Sequence, residues 1–154
     1  MAIRIEKNGE AVYRGAMEMI SNPALGSLLE WMADEEVQHA RWFKELKQNY
    51  ELQSINPFGQ EMGHDVLEGF MGDQSFSLKE VDFSRVARAD ELIDIFIEFE
   101  EDSILFYEML QPFIQDEKTL ENLNRIIEEE KRHIEQLREF IEDEASLRGE
   151  NNSQ

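Results

Sequence analysis

The stretch EEVQHA, residues 35–40, decides how this chain is read, because it holds one of only three histidines in a sequence with thirty-five Asp and Glu. Residues three apart on a helix are neighbours on one face, about 5–6 Å between Cβ atoms, so Glu36 and His39 can reach one metal ion. Taken alone the stretch is weak. Glu makes up 26 of the 154 residues, so any His has roughly a one-in-six chance of a Glu three residues before it, and charge runs are usually solvated faces.

The stretch has a twin. EEKRHI, residues 129–134, follows it by 94 residues, and the same offset carries Glu6 onto Glu100, Tyr13 onto Tyr107, Glu36 onto Glu130 and His39 onto His133. Each half reads Glu, six residues, Tyr, and then Glu-x-x-His, an internal repeat of the kind that marks a duplicated structural unit. In an antiparallel helical hairpin, facing residues are equidistant from the turn. Glu6 and Glu36 are centred on residue 21, within Ser21-Asn22-Pro23, and Glu100 and Glu130 on residue 115, just past Pro112. Both hairpins pass the same test. Glu35 and Glu129, four residues before each His, remain alternatives, but choosing them shifts both facing pairs by one residue.

The pattern between these points is helical. One helix is expected from about Ala2 to Ile20 and a second to about Tyr50, with Leu25, Leu28, Leu29, Met32, Phe43 and Leu46 at helical spacing. A third begins near Asp90 as N-cap and carries Leu92, Phe96, Phe99, Phe106 and Leu110, and a fourth spans about Asp116 to Leu147. Residues 51–89, with Pro57 and four Gly, read as a crossover holding short helices such as Asp65–Met71 and Leu78–Arg88. The reading is an all-α antiparallel four-helix bundle, two hairpins (about 2–50 and 90–147) joined by a long connection, in one domain over 1–148 with a frayed tail at 149–154.

Composition narrows the function. A formal charge of −20 and a pI near 4.4 exclude nucleic acid and anionic membrane surfaces as partners and favour cations. With 41% apolar residues the chain is expected to fold. Cys is absent, so thiolate ligands and disulfides are excluded, and the opening MAIRIEKNGE has no apolar core of a signal peptide. A soluble cytoplasmic protein is expected.

Four Glu and two His brought into a bundle core would be very costly unpaired. Two divalent cations balance the four carboxylates, and neutral imidazole completes each site. Mixed carboxylate and imidazole donors suit Fe(II) or Mn(II), with Zn and Co also able to bind. Carboxylates bridging two irons beside an open position suit binding and reduction of O2 or peroxide. The expected ligands are Glu6, Glu36, His39, Glu100, Glu130 and His133. Tyr13 and Tyr107 are either bundle core or hydrogen-bond donors to the carboxylate two turns earlier. His64, Met17, Met19, Met32 and Trp31 are read as surface or packing residues.

With these residues in place, the chain resembles the ferritin-like superfamily and, within it, the rubrerythrin family; EAVYRGAMEMISNPALGSLLEWMADEEVQHARWFKEL and FIEFEEDSILFYEML carry the resemblance most closely. That resemblance implies a nonhaem diiron centre, with two Fe ions as cofactor and Mn or Zn as substitutes. It further implies peroxide or O2 as substrate, a role in oxidative stress, and a homodimer. Typical members append a rubredoxin domain held by four Cys. The absence of Cys here implies a separate electron-donor protein. They also carry a further Glu one turn past the third-helix ligand, where this sequence has Ser103; Glu101 and Asp102 lack the helical phase to replace it. Iron oxidation or storage is therefore the alternative activity, and a structural module with an empty site is the third reading.

Overall fold

Asn22 and Pro23 fix the first corner. In the computed structural model, which describes residues 1–53 and 89–151, the Asn22 side-chain oxygen accepts backbone N–H bonds from Ala24 (2.9 Å) and Leu25 (3.3 Å). This caps a helix start, and Pro23 suits the first helical position because its missing N–H would have found no partner there. Helix α1 (Ala2–Met17) leads into the corner and α2 (Pro23–Gln53) leaves it. Helix α1 ends earlier than the expected Ile20, with the Met19 N–H closing on the Ala16 carbonyl at 3.0 Å. Met19 consequently lies in the turn and is 55% exposed, not part of the packing.

The second corner uses a different device. Helix α3 (Ala89–Leu110) runs into a 3-10 turn at Gln111–Phe113 containing Pro112, and α4 (Glu117–Asn151) follows. Asp116 caps α4, its Oδ2 accepting from the Thr119 amide (2.8 Å) and hydroxyl (2.7 Å). Asp90 falls inside the first turn of α3 and not at its N-cap, where its charge still complements the helix dipole. Helix α4 continues to Asn151, so residues 149–151, expected to fray, extend the helix with no Pro to stop it. The expected helices at 65–71 and 78–88, and His64, lie outside the described residues.

Contacts between the hairpins give their direction. His39 pairs with Glu129 and Glu35 with His133, so a step up α2 is a step down α4. Tyr13 pairs with Glu100 and Tyr107 with Glu6, making α1 and α3 antiparallel in the same way. Because α1 is antiparallel to α2 as well, α2 and α3 run in one direction. Two helices with that relation need a connection as long as the bundle, which is why so much chain separates the hairpins.

The core draws on all four helices, from Ile5 to Ala16 on α1, Leu25 to Phe43 on α2, Leu92 to Tyr107 on α3 and Leu123 to Leu137 on α4. Leu25, Leu29 and Met32 of α2 meet Ile93 and Phe96 of α3 and Leu123, Ile126 and Leu137 of α4 in one buried cluster. Two aromatic layers interrupt it. Tyr13 packs edge-on against Phe96 at 5.1 Å and Phe99 at 6.5 Å, while Tyr107 stacks on Phe43 at 5.2 Å and meets Phe106 at 5.6 Å. Each Tyr lies two turns past its helix's carboxylate, on antiparallel helices, so the layers close opposite ends of the polar centre between them.

Candidate metal centre

All six residues expected as ligands converge between the aromatic layers, and each is at least 96% buried. Their oxygen and nitrogen atoms form two groups, Glu6, Glu36, His39 and Glu130 in one, and Glu36, Glu100, Glu130 and His133 in the other. Within each group the candidate ligand atoms lie within 4.8 Å of one another. Glu36 and Glu130 belong to both groups. Glu6 with His39 and Glu100 with His133 occupy the two ends.

Each imidazole is held by the opposite hairpin. His39 Nε2–H donates to Glu129 Oε2 and His133 Nε2–H to Glu35 Oε2, both at 3.0 Å. A carboxylate can only accept, so the second nitrogen, Nδ1, is left facing the centre. His133 Nδ1 lies 2.9 Å from Glu130 and 3.1 Å from Glu100, and His39 Nδ1 lies 3.0 Å from Glu130 and 3.6 Å from Glu6 and Glu36. Glu35 and Glu129, the alternative ligands by spacing, therefore sit behind the histidines. In this place a carboxylate fixes the ring and raises the donor strength of the facing nitrogen. Helical spacing alone could not find this role, because the partner of each Glu is on the other hairpin.

The tyrosines also cross between hairpins. The expected contact was with the carboxylate two turns earlier on the same helix; instead Tyr13 donates to Glu100 and Tyr107 to Glu6. Seven residues separate Tyr and Glu by about 10 Å along a helix, beyond easy reach, whereas the antiparallel neighbour brings its own Glu alongside. Burial, and then the adjoining carboxylates, push both phenols well above their usual range, so they remain donors.

Electrostatics separate the carboxylates. Burial raises Glu36, and it raises Glu100 to about 7. Glu130 is also penalised by burial, but the imidazoles of His133 and His39, 2.9 and 3.0 Å away, outweigh this and bring it down to about 2. For the histidines burial opposes the charged form, yet the surrounding carboxylates overcome it, raising His39 strongly and His133 to about 12. Beside these carboxylates both imidazoles favour the protonated form when no cation is bound.

Small residues give the carboxylates room. A Cβ on Gly9 would lie 2.9 Å from Glu36 Oε1 and 3.0 Å from Phe99. Its counterpart by the 94-residue offset is Ser103, 2% exposed, whose hydroxyl turns back to the Phe99 carbonyl at 3.0 Å. Trp31, assigned to packing, sets its ring edge-on to His133 at 5.1 Å and 88°. The signal for Gly9 was present in the repeat, which pairs it with the one position where the sequence departs from the resembled family.

The residues fit a pair of divalent cations. Glu36 Oε2, His39 Nδ1, Glu100 Oε2 and both oxygens of Glu130 are buried without a hydrogen-bond partner, and all belong to the two groups. Buried polar atoms are rarely left so, and five on one centre, with four carboxylates to neutralise, match what two dications would satisfy. Among the described residues, no helix is long and apolar enough to cross a membrane. No curated protein and no solved structure matches the chain. The model of the Rubrerythrin family, in contrast, matches residues 1–141. That span takes in the first hairpin, the second as far as Ile141 and every residue of the candidate centre, and the chain accordingly belongs to the rubrerythrin family.

Proposed function

We propose that this chain is a nonhaem diiron oxidoreductase, reducing hydrogen peroxide or O2 with electrons from a separate donor protein. The observation that supports this most directly is the sharing of Glu36 and Glu130 between two ligand groups, which suits a pair of adjacent ions and not one. The ligands are Glu6, Glu36, His39, Glu100, Glu130 and His133. Oxygen donors with one imidazole per ion suit Fe(II) and leave Mn or Zn as substitutes. Two irons bound there would supply the two electrons that, with two protons, convert hydrogen peroxide to two waters.

The chain's own residues prepare that chemistry. Glu35 and Glu129 lock the histidine rings with Nδ1 inward. Tyr13 and Tyr107, held protonated, orient Glu100 and Glu6 through their hydroxyls. The layers around Tyr13 and Tyr107 keep bulk water from either end, which strengthens every polar interaction between them. A cytoplasmic setting, a homodimer and a role in peroxide defence belong to the same proposal, supported by family membership and a sequence without Cys.

A second reading, oxidation of Fe(II) as substrate, is favoured by Ser103. Its hydroxyl is occupied with the Phe99 carbonyl, so the centre has four carboxylates and two imidazoles and no additional Glu from this turn of α3. Anaerobic loading with Fe(II), followed by separate mixing with O2 and H2O2 while recording ferric absorption, distinguishes the readings. Faster reaction with H2O2 and about two irons per chain are expected. Many irons per chain would favour iron handling, and fewer than one would leave a structural module with an empty site.

A further inference from the structure

The 94-residue offset maps each half of the centre onto the other, ligands, tyrosines and supporting carboxylates alike, but it fails at two positions behind the histidines. Glu129, which holds His39, has Arg125 Nε at 3.9 Å and Arg132 at 4.0 Å. The corresponding positions near Glu35, which holds His133, are Trp31 and Gln38. Trp31 lays its ring edge against the His133 ring. Among the described residues no Lys or Arg lies within 4.0 Å of Glu35. Among the described residues, two otherwise matched histidines are therefore backed by carboxylates with different neighbouring charges.

We propose that the two metal positions are unequal, the Glu100–His133 position binding a divalent cation more tightly than the Glu6–His39 position, because Arg125 and Arg132 partly neutralise the carboxylate behind His39. The inference rests on the dimetal reading. A carboxylate strengthens an imidazole ligand by drawing on its distal N–H. A guanidinium beside that carboxylate weakens the pull, and its positive charge also opposes a cation at the adjoining site. Trp31 and Gln38 bring neither effect to His133. Arg125 and Arg132 are thus positioning residues for affinity, acting through Glu129, and the Glu6–His39 position is where an ion enters last and leaves first.

Anaerobic titration with Co(II), followed by calorimetry and by the metal's visible absorption bands, tests this in the purified full chain. Wild type is expected to take two ions in resolved steps. Repulsion between the ions contributes to that gap in every variant, so the change on mutation is what is read. Arg125→Gln with Arg132→Gln, both at exposed side chains, should tighten the weaker step by about tenfold and leave the tighter step within about twofold, as expected for two screened charges at this distance. Raising the salt concentration should narrow the gap in wild type more than in the double variant. Glu35→Gln should weaken the tighter step and Glu129→Gln the weaker one. Two ions bound with steps that the double variant does not change, or changes equally, would overturn the inequality and leave the dimetal reading standing. No Co(II) bound by folded wild type would overturn both.

Discussion

Gly9 lies directly against Glu36: a Cβ there would sit 2.9 Å from Glu36 Oε1 and 3.2 Å from its carboxyl carbon. The glycine is in the middle of α1 with ordinary helical backbone, so its conformational freedom is not what the site uses. What it provides is room beside a carboxylate common to both ligand groups.

Gly9→Ala therefore sets two effects against each other. Alanine in a helix interior is favoured over glycine by about 0.5–1 kcal/mol, while the added methyl displaces Glu36. The metal-free protein should melt within a few degrees of wild type, because an unligated Glu36 can turn aside. Metal affinity should fall by about tenfold or more, as expected when a ligand is held off its productive geometry. Unchanged Co(II) affinity in the variant would show that the contact does not matter.

Removing shared and terminal carboxylates should have different consequences. Glu36→Ala or Glu130→Ala takes a donor from both groups and is expected to abolish stoichiometric binding. Glu6→Ala takes a donor from one group only and should leave about one ion per chain. Elemental analysis of the loaded variants separates the two outcomes, and equal loss in all three would argue against sharing.

Tyr107→Phe keeps the ring that stacks on Phe43 and removes the donor to Glu6. Loss of a hydrogen bond to a buried charged group is expected to cost about 1.5–3 kcal/mol. Urea unfolding of the metal-free protein measures this, with Tyr13→Phe giving a similar loss through Glu100. A loss well below 0.5 kcal/mol would mean that water replaces the hydroxyl.

Acid should compete with metal from neutrality downward. Burial raises Glu100 to about 7, so protons on this carboxylate must leave before a cation binds below that pH. Its raised value favours the metal-free fold below the unfolded value of 4.5 and that contribution disappears as pH rises through about 7. His133, raised from 6.5 to about 12, favours the metal-free fold below 6.5, a contribution lost as pH rises through about 12. The melting-temperature gain on adding Co(II) should hence be larger at pH 8 than at pH 5.5. Calorimetry in buffers of different ionisation enthalpy should detect protons released on binding; a pH-independent gain would contradict this account.

The residues of the centre were legible because duplication writes the ligand pattern twice. Glu6 opposite Glu36 and Glu100 opposite Glu130 follow from two turns, each marked by a Pro, and local helix geometry does the rest. What crosses between hairpins was not legible. The exchange of Tyr13 and Tyr107 between carboxylates, and the placement of Glu35 and Glu129 behind the histidines, depend on how α1 meets α3 and α2 meets α4. No spacing within one helix contains that information. The helix ends at Met17 and Asn151 were misplaced for a simpler reason, since a missing breaker or an early tight turn shifts a boundary by several residues.

The reciprocal contacts make each hairpin a lender and a borrower. Glu35 steadies His133 while Glu129 steadies His39, and the tyrosines trade carboxylates in the same way. Neither half owns a finished site, so the centre exists only at the seam where the two halves dock. Joining them in one chain makes that docking intramolecular and independent of protein concentration. An ion captured at the seam would act as a clasp, binding the assembled bundle far better than either loose half and converting metal supply into tertiary stability.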